Sequence, residues 1–542
     1  MKKSDTNDAS SPSLAGPAVL SFWIYFFWIT LAVLSLWKFT ADDSLIVFRY
    51  AENLASGNGL TYNADEFISA LTSPLHAILC TLLTLAPCPL LVSNKVLAIL
   101  ALAGSLGWAC CRLDYGPFRS LLVVGLVASS PLVLFWTVGG LETTYLLALL
   151  VILHVQFDRF RDDPSGWTGL YLSITVGCCF LTRFDSILLA GPVLVHSTFR
   201  LYHHRGFTLT GFIGLLLPAA IIAGTWMAFS LFYFHDIFPT SYYSKGILFS
   251  WYGVAVNAFY ILQFLVLSGI PIVLFVLLIR IRVHRTPTGS EVILAWCRRH
   301  RGILVGLLLS LVYGTGMATT HMMFSYRFLI PFLPILLFLA LDLWRDLPSP
   351  VESRFGSPFA TATLSILAFH GILLSSLLST SLNIGVVGEY RAVTLGQYEE
   401  FTQLLGEQAT CIRDHWSQQD SSPRRPVVYV YAAGNPGYFL RDSTIVDSSI
   451  ISYRHYFRGG SSGVSRSADY LFVTSRHGRF GRQLGGFLAG LQRLPAADRS
   501  IEFDGRVEHF AVYFNPAPAD LALPPYVDGA EPSSPATDNS MQ

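Results

Sequence analysis

Two carboxylates stand side by side at Asp42 and Asp43, directly after the first long apolar run of the chain, Pro17 to Phe39. More acids follow at the ends of later apolar runs: Glu52, Asp65, Glu66, Glu142, Asp185 and Asp236. Arg49, Arg183, Lys245 and Arg327 stand at the same level, with Tyr62, Tyr242, Tyr243 and Tyr326 near them in sequence. Acids, cations and tyrosines gathered where apolar chain turns polar have the composition of a cleft at a membrane surface. Such a cleft suits a phosphate and a polar acceptor. The plainer reading of each residue is structural: acids cap the next helix, and cations anchor span ends or lie in solvated loops.

The elements that position these residues follow from composition. Of 542 residues, 52% are hydrophobic and 13% charged, with a mean hydropathy of +0.49. An ordinary soluble domain carries roughly 25% charged residues, so both a single soluble fold and disorder are excluded. Many membrane spans are implied. The net charge of +1 points to no global electrostatic partner, and no basic patch with interleaved aromatics suggests nucleic acid. The eight cysteines include no CxxC pair and no zinc spacing, and read as small apolar fillers.

Apolar runs predict eleven spans, near 18–39, 94–112, 118–137, 143–158, 166–182, 186–201, 208–232, 257–281, 302–319, 328–345 and 358–380. The segment 72–92 is also apolar, but Pro87 and Pro89 interrupt it. If it does not cross, sixteen Lys and Arg residues fall on one side, against Lys38, Arg49, Arg183, Lys245 and Arg327 on the other, with Lys95 at an edge. The excess of Lys and Arg marks the cytoplasmic side. The segment is therefore read as a helix lying on, or dipping into, the outer surface. Residues 1–17 form a cytoplasmic tail and 18–383 the transmembrane domain, with a first outer loop at 40–93. Polar residues rise from about 384, where four β-like runs (427–433, 443–449, 470–475 and 509–515) alternate with helical patterns at 397–416 and 482–494. That is a small extracytoplasmic α/β domain over 384–516. Residues 517–542, rich in Pro, Ala, Ser and Asp, read as a disordered tail.

In the first outer loop Val47, Tyr50, Ala51 and Leu54 recur at i, i+3, i+4 and i+7, while Arg49, Glu52 and Asn53 share another face. The spacing predicts an amphipathic helix parallel to the membrane, stopped by Gly57-Asn58-Gly59. It would hold the two carboxylates at headgroup level.

The run from Asp42 to Leu54, then Gly57 to Asn63 and Thr72-Ser73-Pro74-Leu75, resembles the first outer loop of GT-C glycosyltransferases, above all the mycobacterial terminal arabinofuranosyltransferase family and its bacterial relatives. Further similar stretches are Gly140 to Thr143, Leu181 to Asp185, Pro239 to Lys245 and Tyr326 to Pro331, and in the soluble part Ala433 to Phe439 and Ile445 to Asp447. The chain departs from the family at Ser69-Ala70-Leu71, at His76 after the Thr-Ser-Pro-Leu motif, and at Thr240 in place of Asn.

The resemblance implies a multi-pass enzyme of the bacterial inner membrane, with a cytoplasmic N-terminus. It would move a sugar from a polyprenyl-phosphate donor to an extracytoplasmic acceptor. D-Arabinofuranose is the sugar it suggests, and the acceptor stays open between a cell-envelope glycan and a pilin-like protein. A carboxylate must then deprotonate or orient the acceptor hydroxyl, and cations or a metal must neutralise the leaving phosphate. Asp42 is favoured as base, because the first acid of the pair carries that role in related enzymes. Asp43 assists or binds a divalent cation such as Mg or Ca, and Glu142 is the second acid. Arg183, Lys245 and Arg327 are the phosphate partners, with Arg49, Tyr62, Tyr242, Tyr243, Asp185 and His76 as substrate-binding candidates. Two rival functions, a transporter or flippase and a non-catalytic envelope assembly protein, stay open. Transporters place charges within spans near the midplane, whereas these acids lie at span ends.

Overall fold

A computed structural model describes residues 36–64, 66–113, 125–206, 208–245, 250–283, 288–316, 326–346, 395–419, 424–430, 433–447, 468–474, 491–503 and 506–516, together with scattered residues of 23–34 and 366–371. Most described residues are helical, and a small sheet closes the chain. The helices are α1 (Asp42–Ala55), α2 (Pro74–Leu83), α3 (Leu90–Arg112), α4 (Pro131–Val138), α5 (Thr143–Asp162), α6 (Gly166–Thr182), α7 (Ile187–Arg205) and α8 (Leu209–Phe234). After them come α9 (Thr240–Lys245), α10 (Trp251–Leu267), α11 (Ile270–Val283), α12 (Thr288–Arg299), α13 (Arg301–Gly316) and α14 (Leu333–Asp346).

Three of these, α3, α5 and α8, are long and apolar enough to cross a membrane. A fourth candidate is the pair α10 and α11, bent by 71° where Gly269 takes a φ of +75°. The run predicted as a span over 257–281 is thus helical in two parts: only glycine adopts that backbone readily, and the chain bends there. Of the short runs, 143–158 and 186–201 lengthen to 20 and 19 residues. The spans predicted at 18–39 and 358–380 lie mostly outside the described residues. Segment 72–92 forms a helix of only ten residues, with Pro89 capping α3. At 1.5 Å per residue it is too short to cross a bilayer.

Helix packing is close where glycines allow it. A Cβ on Gly306 of α13 would lie 2.6 Å from the Leu189 carbonyl oxygen of α7, and one on Gly302 would lie 3.0 Å from that of Pro192. These two small residues, four apart, let the two backbones touch, as small-xxx-small patterns do in membrane helices. Far from Asp43 along the helices, the Asp342 carboxylate of α14 lies between His154 (3.7 Å), His300 (3.4 Å) and Arg345 (3.3 Å).

After α15 (Leu395–Gln418) come β1 (Val427–Val430), α16 (Gly434–Phe439), β2 (Thr444–Asp447), β3 (Tyr470–Thr474), β4 (Gln492–Arg493), β5 (Arg499–Phe503) and β6 (Arg506–Phe514). The sheet order is β2-β1-β3-β6-β4, with β5 also on β6. β1 runs parallel to β2 and β3, and the β6 pairs are antiparallel. The four predicted strands are all present. The helix predicted at 482–494 is not supported at its end, where Gln492 and Arg493 pair with Phe514 and Tyr513; residues 482–490 lie outside the described residues.

Helix α1 departs from expectation in its surroundings. From Ser44 to Ala51 every residue is buried, polar Arg49 included. The polar face meets the C-terminal domain rather than water, through contacts with α16, while α2 packs against the helix as well.

The glycine contact yields a stability test. Gly306→Ala should force α7 and α13 apart and destabilise the protein by about 1–3 kcal/mol, the usual penalty for overpacking. Gly104→Ala, with nothing within 4 Å of the new Cβ, should leave stability unchanged or raise it by up to about 1 kcal/mol. Thermal unfolding in detergent distinguishes the two, and equal shifts would refute the packing argument.

Candidate functional site

A cavity of about 450 Å³ opens where the ends of α1, α5, α6 and α13 meet, within the roughly 300–1,000 Å³ typical of ligand sites. Its polar end holds Asp43, Glu142, Arg183, Asp185 and Arg327. Its apolar arm runs down between Leu146, Leu150, Leu189 and Phe332. Phe184, Phe328, Tyr242 and Tyr313 line the cavity as well.

Each polar group is delivered by a local feature. Glu142 caps α5 behind Gly139-Gly140, and Gly140 has a φ of +84°. A Cβ there would sit 2.9 Å from Ser44 Oγ, so glycine lets this loop lie against the first turn of α1. Arg183 caps the end of α6 in extended backbone. Arg327 follows Tyr326, which holds a left-handed φ of 54°. That conformation costs a non-glycine residue about 1–2 kcal/mol. It is held by burial, by packing on the Tyr260 ring (4.7 Å) and by a 3.3 Å hydrogen bond from its hydroxyl to Gln263. The turn aims the next side chain into the cavity.

Arg327 Nη2 donates to both Glu142 oxygens at 2.8 Å, and its Nη1 reaches Asp43 Oδ2 at 3.3 Å. Arg183 donates to Asp185 through two nitrogens, at 3.0 and 2.6 Å, and lies 3.7 Å from Glu142. Its guanidinium also stacks over Phe328 at 4.3 Å. Three carboxylates thus share two guanidinium groups. Burial alone would raise the Glu142 carboxyl; Arg327 and then Arg183 outweigh it and hold it below the usual glutamate range. The exposures differ sharply: the side chain of Glu142 is 2% exposed, that of Asp185 35% and that of Asp43 41%.

The two adjacent aspartates separate. Asp43 faces the cavity. Asp42 turns to the C-terminal domain, where its carboxylate accepts from Gly434 N (3.0 Å), Asn435 N (2.7 Å) and Asn435 Nδ2 (2.8 Å). Burial raises its carboxyl pKa against the opposing hydrogen bonds from Asn435 and Gly434. The sequence reading that favours Asp42 over Asp43 for surface chemistry therefore meets a different geometry. Successive helical residues leave the axis about 100° apart, so only one of the pair can face the cavity.

Other candidates are also structural in their contacts. Arg49 spends all five guanidinium donors on the Tyr62, Gly437, Leu440 and Ser443 carbonyls and Asn63 Oδ1. Tyr62 is buried and donates to the Ala433 carbonyl. His76, also buried, pairs with Asn94 Oδ1 at 3.1 Å and lies outside the cavity lining; burial lowers its pKa. Tyr242 and Asp185 do line the cavity. Lys245 ends α9, and its side chain and that of Tyr243 lie outside the described residues. Two positions of departure meet: Thr240 donates through both N (2.7 Å) and Oγ1 (3.1 Å) to the Ser69 carbonyl at the cavity rim. Sequence reasoning missed Tyr313, Phe184 and Phe328. Tyr313 sits in an apolar run, and its one signal was a polar hydroxyl near a span end. Among the described residues no group of three or more His, Cys, Asp or Glu is arranged to hold a metal ion. The cavity carboxylates are instead matched with arginines, so the donor set does not fit the divalent cation considered for Asp43.

No family model matches the chain. A 225-residue stretch is 27% identical to the terminal β-(1→2)-arabinofuranosyltransferase of Mycobacterium tuberculosis, covering 38% of this chain and 35% of that protein. The match thus spans about a third of the relative's length. The fold is shared more widely. The crystal structure of ArnT from Cupriavidus metallidurans bound to undecaprenyl phosphate superposes with a TM-score of 0.54 at 11% identity, covering 91% of this chain and 97% of the other. ArnT from the same organism in the apo state gives a TM-score of 0.51 at 13% identity, over 91% and 98%. The chain therefore shares its fold with ArnT over nine-tenths of its length.

The buried pair makes a pH-dependent prediction. Glu142→Gln should destabilise the protein by about 3–5 kcal/mol, because it leaves Arg327 short of a buried counter-charge. A depressed carboxyl stabilises the fold above the ordinary glutamate pKa of about 4.3, and that stabilisation is lost as pH falls through its folded value. The wild type should therefore lose thermal stability more steeply below about pH 4.3 than the variant, in unfolding scans across pH. Parallel curves would refute it.

Proposed function

We propose that the protein is an integral membrane glycosyltransferase that moves a sugar from a polyprenyl-phosphate donor to an acceptor hydroxyl. The observation that carries this reading is a single cavity with an arginine–carboxylate end and an apolar arm. A lipid-linked phosphate needs both. The shared fold with an enzyme crystallised with undecaprenyl phosphate supports the donor class, and the arabinofuranosyltransferase match supports D-arabinofuranose as the sugar. Both a cell-envelope glycan and a pilin-like protein fit as acceptor. The Lys and Arg asymmetry supports a cavity and C-terminal domain on the extracytoplasmic side of the bacterial inner membrane, with the N-terminus in the cytoplasm.

Asp43 takes the role of base. It is the most exposed carboxylate of the cavity, and Arg327 Nη1 reaches one of its oxygens at 3.3 Å. Its free edge accepts the proton of the acceptor hydroxyl as that oxygen attacks the anomeric carbon. The bond from that carbon to the phosphate oxygen breaks, and the departing lipid phosphate takes the electron pair. Arg183 and Arg327 face the charge that develops there. Asp185 is the more exposed partner on Arg183, so the phosphate displaces it, whereas Glu142 stays buried and holds the Arg327 fork in place. Lys245, which ends α9, is proposed as a further phosphate partner.

Asp43→Asn should cut transfer about 10²–10⁴-fold while donor binding persists. Arg327→Ala should weaken donor binding and turnover together, and Arg327→Lys should not restore them, since a point charge cannot replace a planar fork. The assay is transfer from a synthetic polyprenyl-phosphate sugar by the purified full-length protein, alongside donor binding. Near-normal turnover in Asp43→Asn would remove Asp43 from the role. Indifference to Asp43, Glu142 and Arg327 alike would sink the reaction.

A further inference from the structure

Helix α1 begins without a side-chain cap, since Ala41 occupies the N-cap position. The first amides of a helix have no partner within it, so its start is held from outside. Ala41 N donates to the Gly139 carbonyl at 2.9 Å, and Asp42 N donates to the Tyr398 hydroxyl of α15 at 2.8 Å. The Asp42 carboxylate adds three bonds of 2.7–3.0 Å, all from Gly434 and Asn435. Hydrogen bonds to an ionised acceptor are about twice as strong as neutral ones. A Cβ on Gly434 would fall 1.9 Å from the Asp42 carbonyl oxygen, so only glycine permits the approach. Asp43, by contrast, has one 3.3 Å contact with Arg327 and a side chain 41% exposed. Its own contacts are too few to fix its direction.

We propose that Asp42 is a positioning residue: its clasp on Gly434 and Asn435 fixes the rotation of α1 and so holds Asp43 in the cavity beside Arg327. The proposal rests on the transferase reading above for its catalytic consequence. The described cavity lining runs from Asp43 to Phe332 and includes no residue of the C-terminal domain. That domain therefore acts on the reaction without touching the reactants, through the neighbour of the base.

The test uses the full-length protein with Asn435→Ala, Asp42→Asn and the double variant. Asn435→Ala should lower kcat about 10- to 100-fold, the scale of a roughly 1 Å misplacement of a reacting group. KM for the lipid donor should change less than about twofold, because the phosphate partners are untouched. Asp42→Asn should match that loss, and the double variant should add nothing further. A merely structural contact would lower the folded fraction and leave kcat per folded molecule at the wild-type value, which would overturn the proposal. Wild-type kcat in Asn435→Ala beside an inactive Asp42→Asn would also overturn it, by giving Asp42 the chemistry itself. Should Asn435→Ala fail to fold, Tyr398→Phe removes only the hydroxyl that receives Asp42 N, and the same pattern is expected at smaller amplitude. Hydrogen exchange of amides 42–48 provides a readout independent of turnover. Asn435→Ala should speed it at least tenfold, and unchanged exchange refutes the clasp even if the wild type proves to transfer no sugar, which would refute the transferase reading alone.

Discussion

One buried guanidinium joins the two halves of this protein. Arg49 lies in the middle of α1, 3% exposed, and its five donors go to four carbonyls and a side-chain amide oxygen, in the 62–63 turn of the first loop and the 437–443 stretch of the C-terminal domain. A charge that deep is costly unless every donor is matched. Matching them requires the 62–63 turn and the 437–443 turn to converge on the same helix. Tyr62 reinforces the junction from the same side, with its ring 4.7 Å from the guanidinium and its hydroxyl on the Ala433 carbonyl. Asn63 completes it by exchanging hydrogen bonds with the Ile445 backbone at 2.8 and 2.9 Å. Satisfying Arg49, together with the Asp42, Tyr62 and Asn63 bonds, obliges the sheet domain to sit over α1.

The cavity obeys the same constraint at one remove. Its polar groups come from four separate chain breaks, and each break carries a conformational device: Gly140 in positive φ, Arg183 in extended backbone, Tyr326 in the left-handed region, Asp43 in the first turn of α1. The arginines and carboxylates neutralise one another where they are buried deepest, at Glu142, and are looser where the cavity opens, at Asp43 and Asp185. That gradient is what a site needs if a charged ligand is to exchange for an internal partner. An entirely buried network would be too tightly held to release an arginine, and an entirely exposed one would be screened by solvent.

Much of this was legible in the chain. Apolar runs located the helices, because the need to satisfy backbone polar groups in lipid leaves few alternatives. Alternating apolar residues located β1, β2, β3 and β6. The strands that escaped, Gln492–Arg493 and Arg499–Phe503, are polar and owe their pairing to β6 rather than to their own pattern. In the site, Glu142, Arg183 and Arg327 could be singled out as charges at the ends of apolar runs. Asp42 and Asp43 could not be ranked, because the rotation of α1 is set by residues more than 390 positions away. Arg49 and Tyr62 looked like ligand contacts for the same reason: most of their partners are distant in sequence, and a polar residue in an outer loop gives no hint of whether water, ligand or protein will cover it.

The distance in sequence between Arg49 and its carbonyl partners also has a temporal meaning. Gly437 is 388 residues downstream of Arg49. At a synthesis rate of roughly 5–20 residues per second, the first loop exists for about 20–80 s before its covering domain has been made. During that interval α1 carries a guanidinium that has only its Tyr62 and Asn63 partners, on a helix of only fourteen residues, near the length at which isolated helices are marginal. The loop cannot take its final form as it emerges; it must wait, solvated or chaperoned, for the last part of the chain to be delivered. A ribosome that stalls anywhere between α2 and β1 therefore leaves behind a bundle whose first-made loop is still unfinished, and whose quality control can be read from that single exposed helix.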